Sequence, residues 1–158
     1  MKILAVDYGD ARTGLAHCDS YESIAAPLET ISDWNRDRVA SSISERARSL
    51  GTELIIVGLP VNMDGSMGER AMVCQEFSEL LHSLTGLPVE LRDERLTTVQ
   101  AHGILSRSNV RGKKRKAVVD TVAAVLILEE YLDYRRKKGI KPYAAERSPA
   151  ALSAGIWG

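Results

Sequence analysis

Three acidic groups stand where a chain building a hydrophobic core would not place them. Asp7 ends the apolar run Lys2–Asp7, Asp93 and Glu94 follow the short apolar segment Val89–Arg92, and Asp120 lies within the apolar stretch Val118–Leu132. An ionised carboxylate buried without a partner costs several kcal/mol or more, so each of the three needs an explanation. A hard divalent cation such as Mg2+ or Mn2+ would satisfy all of them at once, because such ions take carboxylate oxygens and keep positions open for water. Ions held this way activate water and stabilise the leaving oxygen in phosphodiester cleavage. Each acid also has a simpler use. Asp7 would begin the Tyr8-Gly9 turn through an Asx hydrogen bond, Asp120 would cap a helix beginning at Thr121, and Asp93 and Glu94 would pair with Arg92 or Arg95 at the surface.

A second chemistry-bearing segment precedes Asp120. Between Arg107 and Lys116 the chain reads RSNVRGKKRK, a dense cationic stretch in which Arg107, Arg111, Lys113, Lys114, Arg115 and Lys116 are candidate phosphate contacts. Such contacts grip a nucleic-acid backbone without reading its sequence, and the stretch holds no aromatic residue for base stacking. A solvated basic loop is the alternative. Arg12, in the turn after Asp7, either contacts a phosphate or balances the carboxylates. The loop containing Asn62 and Asp64 is expected to support the cleft. Ser66, Thr97 and Thr98 read as capping hydroxyls, since His17, His82 and His102 form no arrangement that would activate a serine.

The elements that must carry these residues follow from periodicity. Lys2–Asp7 and Thr13–Cys18 read as two strands joined by the Tyr8-Gly9-Asp10 turn, with Ser23–Ser32 a third that Pro27 restricts to an edge or to an interrupted strand. Val39, Ile43, Ala47 and Leu50 recur at helical spacing and Gly51 is placed to stop that helix. Glu53–Val57 is a continuous apolar run suited to a strand buried on both faces. A second helix carries the stripe Met72, Val73, Phe77, Leu80, Leu81 and Leu84, and the strand Val89–Arg92 follows it. Thr97–Leu105 reads as a short helix, Arg107–Lys116 as a basic loop, and Val118–Leu132 as a helix apolar nearly all round that packs across a sheet. Strands first, then helix and strand in alternation, predict an α/β domain with a mixed central β-sheet flanked by α-helices. That domain is expected to span residues 1–138, with 139–158, rich in Ala, Ser, Pro and Gly, forming a loosely ordered tail.

Composition narrows the function classes. The 158 residues are 44% hydrophobic and fit one globular domain, with no run long enough to cross a bilayer and no signal-peptide order at the start. Two cysteines far apart argue against a disulfide framework or a zinc site and suit a reducing cytoplasm. The formal net charge is zero, from 21 basic and 21 acidic side chains. Zero conceals a division: residues 1–106 hold 9 Lys and Arg against 16 Asp and Glu, and residues 107–158 hold 12 against 5. The charges are therefore −7 and +7, an acidic candidate metal site beside a basic candidate phosphate grip.

The segments DYGDARTGLA from Asp7, GLPVNMDGS from Gly58, DERLTT from Asp93 and KAVVD from Lys116 together resemble the bacterial YqgF family. That family comprises pre-16S rRNA nucleases, also described as Holliday junction resolvase-like proteins of the RNase H-like superfamily. The four motifs occur in family order, and the resemblance covers about residues 1–134. It implies an RNase H-like fold with a metal-binding carboxylate triad carried on Asp7, Glu94 and Asp120, and it makes Asp93 a neighbour or structural partner. It points to the precursor of small-subunit ribosomal RNA as substrate, with branched DNA as the alternative and ribosomal particles as a further partner. Monomer and homodimer are both compatible with the sequence. Two other classes compete: a sugar-kinase-like ATPase, for which the chain has room for only one of two required domains, and a non-catalytic RNA-binding module, which would be expected to lack one of the acids.

Overall fold

The computed structural model describes residues 1–59, 68–93 and 112–140, with side chains described from residue 121 in the last segment. Five strands and three helices follow in the order β1 (Ile3–Asp7), β2 (Arg12–His17), β3 (Ala26–Ser32), α1 (Arg36–Leu50), β4 (Leu54–Leu59), α2 (Glu69–Thr85), β5 (Val89–Asp93) and α3 (Gly112–Lys137). The sheet order is β3-β2-β1-β4-β5. β1 pairs antiparallel with β2, and β2 with β3, whereas β1, β4 and β5 run parallel. The mixed sheet expected from the sequence is present, and Pro27 lies on the edge strand β3.

Helices cover both faces. On one, Ile3 and Ala5 of β1, Ala16 of β2 and Leu54 and Ile56 of β4 pack against Ala124, Ile127, Leu128, Tyr131 and Leu132 of α3. On the other, Leu4, Val6, Leu15, Ile55 and Val57 pack against Val39 and Ile43 of α1 and Cys74, Phe77 and Leu81 of α2. The continuous apolar run of β4 is the consequence of burial on both sides. Small residues on the α3 side, Ala5, Gly14 and Ala16, allow that long helix to lie close to the sheet.

Three local expectations change. The α2 stripe is displaced: Ala71, Cys74, Phe77, Ser78 and Leu81 are buried, while Met72 is 59% exposed and Val73 and Leu84 also face solvent. Small side chains at 71, 74 and 78 permit close packing, so volume rather than hydropathy selects the face. α3 begins at Gly112, so Lys113, Lys114, Arg115 and Lys116 belong to the helix and not to a loop. Lys and Arg are good helix formers and extend the apolar segment backwards by more than a turn. Asp120 is consequently inside α3 and is not its N-cap. The proposed Thr97–Leu105 helix and the tail beyond residue 140 lie outside the described residues.

α1 is delimited by short-range chemistry. Asn35 accepts a hydrogen bond from the Arg38 amide at 3.0 Å, and Gly51 closes the other end at φ 69°. Asp33 holds Arg38 through two contacts of 2.8 and 2.9 Å, which, with the Asn35 amide, lower its pKa to about 2. Its contribution to stability is therefore present above the ordinary carboxylate range and is lost as pH falls through about 2. Among the described residues no helix is long and apolar enough to cross a membrane.

At the end of the sheet far from the β1 carboxylate, a buried ion pair ties α3 to the β2–β3 connection. Arg135 donates to both oxygens of Glu22 at 2.6 and 3.0 Å, and both side chains are buried. Glu22 takes a left-handed φ of 55°, unusual for a residue with a side chain. Removing one partner leaves the other charge buried, so Glu22→Gln is expected to lower stability by about 3–5 kcal/mol. The double variant Glu22→Leu with Arg135→Met is expected to recover much of that loss; urea unfolding of the three proteins measures both effects.

Candidate active site

β1 brings its last residue to the edge at which β4 and β5 also end. Val6 lies beside Val57, and Gly58 lies beside Arg92, so Asp7, Gly58 and Arg92 form one row across three parallel strands. Alternation along a strand sends successive side chains to opposite faces. Ile3 and Ala5 face α3, and Asp7 therefore does too; Leu4, Val6 and Tyr8 face α1 and α2. Asp7 is half-buried and engaged with its surroundings.

α3 is anchored above the same level of the sheet. Thr121 shares a 2.8 Å hydrogen bond with Thr30, which lies beside Gly14, which in turn lies beside Asp7. Position 120 is thus one residue from the contact that seats α3 on the Asp7 row. It also falls three and four residues before the buried Ala123 and Ala124. Glu94 directly follows β5 but lies outside the described residues, as do Arg107, Arg111 and the loop containing Asn62 and Asp64. Asp93 is described: it shares a face with Val89 and Leu91, on the α2 side, opposite to Asp7. Strand alternation alone separates Asp93 from the face that Asp7 occupies.

The turn after Asp7 is clamped by a residue that sequence reasoning did not single out. Arg70, in the first turn of α2, donates to the Tyr8 carbonyl and to Asp10 Oδ1, the latter at 2.6 Å, and its guanidinium lies over the Tyr8 ring. Tyr8 stacks flat on Phe77 with ring centroids 3.8 Å apart. Burial pushes the Tyr8 phenol above its ordinary pKa despite the opposing pull of Arg70, so Tyr8 acts here as a neutral packing group. Gly9 is required by close approach, since a Cβ there would lie 2.2 Å from the Arg12 carbonyl oxygen. Arg12 opens β2 at this edge and shares a face with Gly14, and hence with Asp7. The signal for Arg70 in the sequence is only an arginine at a helix start, and nothing local links it to a turn 60 residues earlier.

Known proteins can now be compared with this arrangement. A family model described as RuvX, Holliday junction resolvase, matches residues 1–134. The chain belongs to the RuvX family. A Chloroflexus aurantiacus protein named "Putative pre-16S rRNA nuclease" is 42% identical over 134 residues, 85% of this chain and 88% of the relative. One of the same name from Lachnospira eligens is 40% identical over 140 residues, 87% of this chain and all of the relative. Among solved structures, Thermus thermophilus RuvC in complex with a Holliday junction substrate aligns with a TM-score of 0.57 at 16% identity, over 90% of this chain and 99% of RuvC. The Fowlpox virus resolvase bound to Holliday junction DNA gives 0.55 at 11% identity, over 85% and 98%. This RuvX-family chain accordingly has the RNase H-like fold, as its four motifs implied.

Arg70→Met is expected to release the turn after Asp7 and lower stability by about 1 kcal/mol, the scale of a partly exposed charged hydrogen bond. Urea unfolding reads the loss, and faster amide exchange at Gly9 and Asp10 localises it.

Proposed function

We propose that this RuvX-family protein is a cytoplasmic, divalent-metal-dependent nuclease that hydrolyses phosphodiester bonds at the 5′ end of pre-16S rRNA. The observation that carries the site is the placement of Asp7: it faces α3 at the carboxyl-terminal edge of the parallel strands, on the row where Thr121 seats the helix bearing position 120. β5 ends at that edge one residue before Glu94. Asp7, Glu94 and Asp120 are the ligands we assign to Mg2+ or Mn2+, and an all-oxygen donor set suits these hard ions. Bound there, the cation supplies Lewis-acid polarisation of the scissile phosphate and activation of the attacking water.

The chain's own side chains supply position and charge. Arg12, on the Asp7 face of β2, is placed to balance the carboxylates or to hold a phosphate. Arg107, Arg111, Lys113, Lys114, Arg115 and Lys116 supply backbone contacts with the RNA, four of them from the opening turns of α3. The curated relatives carry the pre-16S rRNA nuclease name, which favours RNA, and ribosomal particles are the setting in which that substrate is met. The family description and the fold shared with junction resolvases keep cleavage of branched DNA as the second reading. A non-catalytic RNA-binding role ranks below both, since all three acids are present.

Purified protein incubated with labelled single-stranded RNA, structured pre-16S rRNA and four-way DNA junctions tests the assignment. Cleavage of the pre-rRNA is expected with Mg2+ or Mn2+, absent with chelator, and reduced by about 100-fold or more in Asp7→Asn, the scale of losses at metal sites. Cleavage that survives both chelator and substitution would overturn the triad, and cleavage confined to the junction would establish the DNA reading.

A further inference from the structure

The basic run Arg135-Arg136-Lys137-Lys138 has no role in the triad, and its members prove to be used differently. Arg135 is committed to the Glu22 carboxylate, Arg136 donates to the Glu22 carbonyl at 3.2 Å, and Lys137 pairs with Asp133 at 2.9 Å. Lys138 instead lies over the ring of Tyr134, its Nζ 5.9 Å from the centroid. From β5, Arg92 approaches the same ring, with its guanidinium carbon 4.6 Å from the Tyr134 centroid and 5.2 Å from that of Tyr131. Arg92 therefore does not form the surface pair with Asp93 that its sequence position suggests: the two neighbours face opposite sides of the sheet.

Two features give this cluster a direction. Arg92 stands on the Asp7 row and on the Asp7 face, with Gly58 between them, so no side chain from β4 rises between the carboxylate and the guanidinium. Two strand spacings put the Asp7 and Arg92 backbones about 10 Å apart. Secondly, a guanidinium held over aromatic rings by a cation–π contact keeps N–H donors for a further partner, and such donors take a phosphate in two parallel hydrogen bonds. Tyr131, one of the two rings beside Arg92, is held neutral. Burial, followed by the hydrogen bond to Glu90, pushes Tyr131 to about 12. Glu90, the acceptor of that bond, lies on the same face of β5 as Arg92.

Resting on the nuclease reading above, we propose that Arg92 and Lys138, organised by Tyr134, form a second phosphate-binding subsite on the β5 side of the Asp7 row. It holds the substrate backbone beyond the scissile bond, toward the end of α3 that Arg135 fastens to Glu22. The basic residues that open α3 and this subsite then supply separate backbone contacts along one strand. Contacts of this kind act through phosphate and are indifferent to base identity.

The test measures binding by the full chain in chelator, using fluorescein-labelled single-stranded RNA and, separately, a four-way DNA junction across a salt series. Arg92→Gln and Lys138→Gln are compared with wild type and with Lys137→Gln, which removes the same charge from the side chain paired to Asp133. Each subsite variant is expected to weaken RNA binding several-fold and to flatten the slope of log K against log salt by about 0.7, one phosphate contact on a single strand. Lys137→Gln is expected to leave the slope unchanged, and in cleavage assays the subsite variants are expected to raise KM with kcat retained. Tyr134→Leu is expected to weaken binding while both cations remain, and thermal melting confirms that each variant is folded. Equal slopes for the subsite variants and Lys137→Gln, in a wild type that binds and cleaves, would overturn the subsite and leave the nuclease reading standing. A wild type that binds neither polymer would overturn both. An effect seen with the junction alone would overturn the subsite as an RNA contact and assign it to DNA.

Discussion

The candidate site depends on the alternation of side chains along β1, a five-residue strand buried on both faces. Because Ile3 and Ala5 must meet α3 while Leu4 and Val6 meet α1 and α2, Asp7 is carried to the α3 face and Tyr8 to the α2 face. A shift of one residue in this strand would exchange the two cores and turn the carboxylate away from the helix that bears Asp120. Four apolar side chains thus hold a polar one in place, and the site borrows its rigidity from the core.

The two faces beside β1 then have separate duties. On the α2 side, Tyr8 stacked on Phe77 and the Arg70 clamp fix the turn that leaves Asp7. On the α3 side, Gly14 and Ala16 keep the sheet surface low, and Thr30 receives Thr121. The Glu22–Arg135 pair fastens the other end of α3. The helix is tied at two points about 14 residues apart, roughly 21 Å at 1.5 Å per residue, which limits how far the part that bears Asp120 can drift from the sheet.

Much of the architecture was legible because its causes are local. The Gly51 stop, the helical spacing of Val39, Ile43 and Ala47 and the unbroken apolar run of β4 each follow from neighbours within a few residues. The stripe of α2 differs from the expected one because hydropathy favours Met72 and Val73, whereas the face set by Phe77 and Leu81 buries Ala71 and Cys74. The start of α3 was set too late because a run of cations resembles a loop when charge alone is considered, whereas Lys and Arg carry little helix penalty.

The sequence by itself determined which residues could hold a metal ion, that they belong to a mixed α/β domain, and that opposite charges are divided between the two parts of the chain. It could not determine that Asp93 faces away from Asp7, because facing is a property of strand register. Nor could it show that Arg70 belongs to a turn 60 residues earlier, or that Arg92 turns from its acidic neighbours to tyrosines on α3. Those assignments were decided only by tertiary structure, since each depends on two segments, remote in sequence, being packed against each other by the burial of apolar side chains around them.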